Sequence, residues 1–306
     1  MFGNILVHIP TELSARSAVN GSISLAVSTK AQLDAMAIGY ERTIIPLIAS
    51  AGTAVASIFE VEHAKALERA EAALRVFELE AGNSDIRYTT RALSAIPCDG
   101  REIICASARL HDLTVVTQPK RDHDSCDNVI PHEILFQAAG PVLFMPHTFY
   151  GAFSAKQIGI RWDGSRLAAR ALRDAMPLLR EADALTIITI TGPDAMPAES
   201  STEHVLRYLA RSGLPAKVAS VPGIGDPTGP PLDRSRRGHR SSGNGRVSLL
   251  LAERKAPRPL DAHDASGDDN PGPNVALIAS LPMRLFRHVL AACRRLQLDR
   301  CHHDRH

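Results

Sequence analysis

The chain has 306 residues, of which 44% are hydrophobic and 22% charged, and its formal net charge at pH 7 is +2. These are globular values, and so small a charge gives no reason to expect nucleic acid or a membrane surface as a partner. No run of about 18 uninterrupted apolar residues could span a bilayer. The start has no basic and apolar leader, and the five scattered cysteines form no CxxC pair. We therefore expect a cytoplasmic protein with reduced thiols.

Five strands alternate with helices in the first half of the chain, residues 1–147. Branched and other apolar residues in NILVHIP predict the first strand, and polar TELSARS then leads into a helix rich in small residues. The other predicted elements are strands at 31–39, 86–93, 113–118 and 141–146 and helices at 62–81, 99–110 and 130–139. Such alternation is typical of a parallel sheet with helices on both faces.

The same plan begins again in the second half of the chain. A strand at 157–162 is followed by a polar DGS turn, and apolar residues spaced three and four apart then predict a helix over 167–179. The next predicted elements are strand 184–191, helix 200–212 and strand 215–221. A shift of 151 residues places Glu12 on Asp163. We interpret the two halves as duplicates.

Four short segments carry a resemblance to a known family. PTELS at 10–14 follows the first strand, and WDGS at 162–165 follows the corresponding strand of the repeat. DLTVVTQ at 112–118 and GPVLFMP at 140–146 look like a fourth and a closing strand. In this order and spacing, residues 1–222 resemble universal stress proteins in their tandem two-domain form.

The resemblance implies an α/β fold of two tandem doubly wound parallel-sheet domains, of the adenine-nucleotide alpha hydrolase type. The second domain is incomplete, because its pattern stops after strand 215–221. The predicted parts are a first domain at 1–147, a linker at 148–156, a partial second domain at 157–222 and a tail at 223–306. Because the tail is polar and proline-rich for much of its length, we predict a disordered C-terminal region with a candidate helix at 281–298.

A frameshift between about residues 222 and 232 is one hypothesis for this tail. The family would supply a further strand and a glycine loop where GHRSSGNGRV now stands. Codons can be chosen for residues 238–248 that spell a strand of that type one base later. The alternative is an ordinary divergent extension. A sequencing read of the gene, translated in all forward frames, decides between the two.

The resemblance also implies an ATP site, in the crevice where the strand order of a doubly wound sheet reverses. The cofactor-binding candidates are Pro10, Thr11 and Glu12 in the first half and Asp163, Gly164 and Ser165 in the second. The family's glycine-rich phosphate loop is missing from residues 117–136, and Pro119 there has no amide proton to donate. ATP is therefore the one cofactor implied, with weak or absent binding.

Several candidate residues also have a purely structural interpretation. Asp163 and Ser165 open a helix, where their oxygens satisfy free amides, and Ser14 or Thr11 could cap the first helix in the same way. We expect His8 to be a partly buried side chain rather than a ligand. Acidic neighbours should raise the pKa of the Cys126 thiol. No metal is expected, although CHHDRH at the C-terminus contains suitable ligand types.

For function, we predict a non-enzymatic stress-response protein that acts by binding or dimerisation. The partner is a second copy of the chain, or the two domains pair within one chain. The alternative is a small nucleotide-dependent transferase or hydrolase on a related sheet, but no Walker loop or GxSxG elbow occurs in the sequence. A third possibility is a scaffold in which the strand at 141–146 pairs with another copy.

Overall fold

The structure is a computed structural model that describes residues 1–41, 52–120, 123–147, 149, 151–191, 196, 198–222, 250–253 and 275–278. Its helices and strands are, in chain order, β1 (Asn4–Ile9), α1 (Arg16–Thr29), β2 (Gln32–Tyr40), α2 (Gly52–Gly82), β3 (Tyr88–Ala95), α3 (Pro97–Ala108), β4 (Leu113–Thr117), α4 (Cys126–Gln137), β5 (Val142–Met145), β6 (Gln157–Arg161), α5 (Arg166–Asp174), α6 (Met176–Leu179), β7 (Ala184–Thr191), α7 (Thr202–Arg211), β8 (Ala216–Pro222), β9 (Leu250–Glu253) and β10 (Val275–Ile278). Within these residues, no helix is both long and apolar enough to cross a membrane.

The first half forms a five-stranded parallel sheet in the order β3-β2-β1-β4-β5. Val7 at the centre of β1 is paired with Ala35 of β2 on one side and with Val115 of β4 on the other. The chain therefore builds outward from β1 through β2 and β3 and then crosses to β4. This order confirms the predicted doubly wound α/β fold.

Helices cover both faces of this sheet. Successive side chains of each strand point to opposite faces, so each strand contributes to the core on both sides. Val7 of β1 packs in the core formed with α1 and α2, and its neighbour Leu6 packs in the core formed with α3 and α4. Both residues are almost fully buried. Apolar side chains on both faces explain why these strands appear in the sequence as continuous apolar runs.

The second half contains three parallel strands in the order β8-β7-β6. The helical pattern at 167–179 forms two helices, α5 and α6, rather than the single helix predicted. Pro177 lies in the first turn of α6 and has no amide to continue the hydrogen bonding of α5. Leu172 and Leu179 are nevertheless both buried against the sheet, as their spacing predicts.

The structure differs from the sequence analysis in residues 223–306, where the sequence analysis predicted no strand. There β9 is antiparallel to β6, and β10 is antiparallel to both β9 and β5, so that in the described part of the chain one ten-stranded sheet joins the two halves. The apolar runs that form β9 and β10 are short and lie between polar and proline-rich segments. The prediction of disorder was based on the average composition of the tail, in which these short runs have little weight. The candidate helix at 281–298 lies outside the described residues.

Candidate functional site

The crevice of interest lies at the carboxyl ends of β1 and β4. These strands are neighbours, but the chain leaves them in opposite directions across the sheet, so the segments that follow them separate and leave a crevice. One wall is the segment after β1, which contains Pro10, Thr11 and Glu12. The other wall is the segment from β4 to the first turn of α4, of which residues 121 and 122 are not described.

Two carboxylates close this crevice by binding backbone amides on the opposite wall. Asp127 Oδ2 accepts hydrogen bonds from the amides of Thr11 and Glu12, both at 2.6 Å. In return, Glu12 Oε2 accepts a hydrogen bond from the amide of Cys126 at 2.7 Å. We call these three hydrogen bonds the carboxylate latch. Bonds between a carboxylate and an amide are charge-assisted and are stronger than neutral ones.

Local sequence explains why Asp127 reaches the crevice. Ser125 is the N-cap of α4, and its hydroxyl accepts a hydrogen bond from the amide of Asn128 at 3.3 Å. An acidic residue in the first turn of a helix is stabilised by the helix dipole and by free amides. Asp127 occupies that position and is 2% exposed, and its carboxylate points away from solvent towards the segment after β1.

Asn128 holds the rest of the second wall in place. Its side-chain oxygen accepts a hydrogen bond from the amide of Lys120 at 2.6 Å, and its Nδ2 donates to the carbonyls of Lys120 and His123 at 2.8 Å each. With the latch closed, the amides of Thr11, Glu12, Lys120 and Cys126 all have internal partners. The residues present in this crevice therefore do not fit a phosphate group, which needs several free amides.

Three buried polar side chains meet beneath the latch. His8 Nε2 lies 3.5 Å from Asp127 Oδ1, and the Tyr40 hydroxyl interacts with the same carboxylate. His8, Tyr40 and Asp127 are 1%, 5% and 2% exposed. Among the described residues, no well-formed hydrogen bond is made by His8 Nε2, the Tyr40 hydroxyl or Asp127 Oδ1. The prediction that His8 is a partly buried side chain therefore understated its burial.

Burial moves the pKa values of this group in opposite directions. It lowers the pKa of His8 to about 4, so the imidazole is neutral at pH 7. It raises the pKa of Asp127 to about 6, although the amides of Glu12 and Thr11 oppose the rise. Burial, followed by the charges of Glu12 and Asp127, also raises the pKa of the Cys126 thiol, as predicted. At pH 7 the Asp127 carboxylate of the latch thus lies beside a neutral His8, and Cys126 is a thiol.

In the second half, the candidate residues form a helix cap. Asp163 Oδ1 accepts a hydrogen bond from the amide of Ser165 at 2.9 Å, and Ser165 Oγ accepts one from the amide of Ala168 at 3.1 Å. Gly164 between them has a φ of +71°, which favours glycine. The structure confirms the capping interpretation here. It does not do so in the first half, where α1 begins after Ala15 without a side-chain cap.

The two halves also differ in the neighbour of their first strand. β9 runs antiparallel to β6, so the carboxyl end of β6 meets the amino end of β9. The first-half arrangement, in which two carboxyl ends meet, is therefore not repeated beside Asp163. Within the described residues, no cluster of three or more His, Cys, Asp or Glu side chains could hold a metal ion. The CHHDRH segment lies outside them.

The structure brings Thr11 and Glu12 together in the first crevice and places the side chain of Pro10 in the interior. Thr11 Oγ1 donates to the carbonyl of Ile38 at 2.9 Å and so fixes the segment to β2. Sequence analysis did not identify Asp127 and Asn128, because within residues 117–136 it considered only the missing glycine-rich loop, Pro119 and Cys126. The signal that could have found Asp127 is its position two residues after Ser125, a serine of the N-cap type, in the first turn of a helix.

Three solved structures are similar to parts of this chain. A universal stress protein from Archaeoglobus fulgidus DSM 4304 is similar to the chain with a TM-score of 0.51 and 13% identity, covering 71% of this chain and 77% of that chain. A protein from Pseudomonas aeruginosa PAO1 has a TM-score of 0.43 and 17% identity, covering 72% and 74%. A universal stress protein in complex with cAMP has a TM-score of 0.28 and 16% identity, covering 47% and 97%. No protein-family model and no curated protein sequence matches the chain.

Proposed function

We propose that the chain is a universal-stress-type protein that acts in a stress response by binding and association, and that it binds ATP weakly or not at all. The similarity in fold to a universal stress protein supports the class. The observation that carries the proposal is the carboxylate latch. Because Asp127 and Glu12 engage the amides of the first crevice, a nucleotide would have to displace two carboxylates before it could bind there.

The tandem two-domain form is part of this proposal. The strand order β8-β7-β6 mirrors β3-β2-β1, and each set of three strands is parallel. Asp163 follows β6 as Glu12 follows β1, in agreement with the shift of 151 residues. In this account the domains lie at 1–147 and 157–222, with a linker at 148–156, and a single chain contains both members of the pair.

Pairing within one chain is favoured over a homodimer through β5. The strand at Val142–Met145 already has β10 as an antiparallel neighbour, and β9 covers the edge of β6. An edge that is already paired cannot add a strand from another copy. The scaffold in which this strand binds another copy therefore loses its support. We place the protein in the cytoplasm, from its sequence alone.

The enzymatic alternative, a nucleotide-dependent transferase or hydrolase, finds no support in the crevice. Catalysis of this kind needs an accessible base or nucleophile next to the bound phosphate. His8 is fully buried and neutral at pH 7, and burial and the adjacent carboxylates keep Cys126 in its thiol form. Asp127 is engaged by two amides.

Calorimetric titration of the full chain with ATP, together with release of labelled phosphate, tests this proposal. We expect a dissociation constant weaker than about 1 mM, which corresponds to about 4 kcal/mol of binding free energy, and no turnover. Saturable binding at micromolar ATP would contradict the proposal, and turnover would favour the enzyme. If heat is released, the variants Glu12→Gln and Asp163→Asn show which half binds. Survival of the host under stress after deletion of the gene tests the biological role.

A further inference from the structure

The same crevice contains a second feature, which is the set of groups around the Asp127 carboxylate. We propose that the amides of Thr11 and Glu12, with His8 and Tyr40, form an anion hole that Asp127 fills from within the chain. The hole accepts the oxyanion of a small carboxylate or phosphate when the Asp127 side chain is absent or withdrawn. This inference concerns the crevice of the proposed function, but its test uses small anions and variants rather than ATP, so either can fail alone.

The chemistry of the surrounding groups supports this assignment. Two backbone amides point at Asp127 Oδ2, each at 2.6 Å, and amides can only donate. His8 Nε2 lies 3.5 Å from the other oxygen, and a neutral imidazole with its proton on Nε2 donates to it. The Tyr40 hydroxyl, which also interacts with Asp127, is a further donor. With the amide of Leu13, which also interacts with Asp127, up to five donors surround one carboxylate.

Burial leaves these donors with incomplete hydrogen bonding. His8 and Tyr40 are 1% and 5% exposed, and neither His8 Nε2 nor the Tyr40 hydroxyl has a well-formed hydrogen bond within the described residues. A buried donor without a partner costs free energy, and a hydrogen bond in a medium of low polarity is stronger than one in water. Removing the Asp127 carboxylate leaves the amides of Thr11 and Glu12 unpaired as well, and an oxyanion that enters the hole supplies acceptors for all of these donors.

The position of the hole explains why the wild-type chain keeps it filled. Asp127 belongs to the first turn of α4, which has twelve residues, so the carboxylate is delivered by a helix that is packed on the sheet. Ile130 and Ile134 of that helix are fully buried. An external anion therefore competes with a group whose effective concentration is very high. We expect the wild-type hole to exclude added anions.

The experiment measures thermal unfolding of the full chain carrying Asp127→Ala, in sodium formate, acetate or phosphate and in sodium chloride at equal ionic strength. We expect formate or acetate at about 100 mM to raise the Tm of the variant by about 2–4 °C over chloride. Phosphate that also raises the Tm extends the ligand class to phosphoryl groups, whereas a response to carboxylates alone restricts it. The wild-type Tm should respond to none of them beyond the effect of chloride.

Three further proteins complete the design. Asp127→Asn keeps the hole filled without a charge and should not respond to anions, and Asp124→Ala removes an exposed acid of the same loop and should behave as wild type. Tyr40→Phe in the Asp127→Ala background should reduce the acetate shift by removing one donor. If Asp127→Ala does not fold in chloride, acetate should raise its refolding yield. Equal Tm values and equal refolding yields in acetate and chloride would overturn the proposal.

Discussion

At the scale of single residues, burial shifts the pKa values of His8 and Asp127 in opposite directions. Burial lowers the pKa of His8 to about 4 and raises that of Asp127 to about 6. Between these values, the folded pair is a neutral histidine beside a protonated acid, and the unfolded pair is a charged histidine and a carboxylate. Both states carry the same number of protons. The pair therefore contributes almost no pH dependence to the stability of the wild-type chain.

Single variants should reveal two opposite dependences on pH. In Asp127→Asn, His8 remains with a lowered pKa, so the unfolded chain binds more protons and stability falls as the pH decreases from about 6.5 to about 4. In His8→Gln, Asp127 remains with a raised pKa, so stability rises as the pH decreases from about 6 to about 4. Each slope is at most about 1.4 kcal/mol per pH unit.

Urea unfolding of the wild type and both variants, at about pH 7 and about pH 5, measures these slopes relative to the wild type. Tyr40, Cys126 and Glu12 also face Asp127, but they are present in all three proteins. Subtracting the wild-type values therefore removes their contribution. The same sign of slope in both variants would contradict the assignment.

The sequence predicted Glu12 but not its partner. The resemblance of PTELS to the family's segment after the first strand singled out Thr11 and Glu12, and it implied a site at the switch point of a doubly wound sheet. Asp127 is more than a hundred residues away in the chain, in the first turn of α4, and several charged residues precede it. Only the pairing of β1 with β4 brings the two segments together. No local pattern contains that information.

At the scale of elements, the contact between β2 and α2 depends on one glycine. A Cβ built on Gly39 of β2 would overlap the backbone carbonyl oxygen of Ala66 in α2. Ala66 and Ala70 of that helix are fully buried, so small residues on both sides allow the close approach. Backbone atoms cannot move aside as a flexible side chain can, so the helix must shift as a whole.

We expect Gly39→Ala to lower the free energy of unfolding by about 3 kcal/mol or more, because it forces the helix away from the sheet. Gly82→Ala is the matched control. It changes the last residue of the same helix, where an added Cβ meets nothing within 4 Å, and should be neutral or slightly stabilising. Urea unfolding compares the two. A loss below about 1 kcal/mol for Gly39→Ala would show that the close contact is not present.

The N-cap of α5 leads to a second prediction at this scale. Ser165→Ala removes the hydrogen bond to the Ala168 amide and should cost about 1 kcal/mol of stability. Ser14→Ala should cost almost nothing, because the exposed Ser14 caps no helix in the described structure. Thermal or urea unfolding distinguishes them. Equal losses for the two variants would contradict the interpretation of residues 163–165 as a cap.

Most elements were predictable because their patterns are local. Strand β7 was predicted at its observed bounds, 184–191, from a run of branched residues, and β4 was predicted to within one residue. Helix α2 starts at Gly52 instead of residue 62, because its first ten residues lack a clear apolar spacing. Strands β9 and β10 could not be predicted from local sequence. Each is only four residues long, and pairing with strands that are distant in the chain determines that it is a strand.

At the scale of the whole molecule, the ten strands that the structure describes form one sheet, which joins the two halves through β9 and β10. In the first half β1 has parallel neighbours on both sides, whereas in the second half β6 has β7 on one side and the antiparallel β9 on the other. A complete second copy of the first half would place a parallel strand in that position. The frameshift between about residues 222 and 232 remains a prediction, for which the gene sequence is the test.

If β10 covers the edge of β5, the chain should be a monomer of 33.0 kDa in sedimentation equilibrium. Leu277→Pro removes a backbone donor where β10 is paired with Phe144 of β5, so the uncovered edge should cause self-association. Leu277→Ala keeps the backbone donor and should remain monomeric. A wild-type dimer, or a monomeric Leu277→Pro protein, would contradict the pairing.

The central claim is that the carboxylate of Asp127 holds the amides of Thr11 and Glu12, where an anionic ligand would otherwise bind. The most direct measurement is the amide proton chemical shifts of these two residues by NMR, in the wild type and in Asp127→Asn, with and without ATP. A short hydrogen bond to a carboxylate moves an amide proton downfield. We predict downfield resonances in the wild type that ATP does not change and that move upfield in the variant. Resonances that ATP shifts in the wild type, or that the variant leaves in place, would contradict the account.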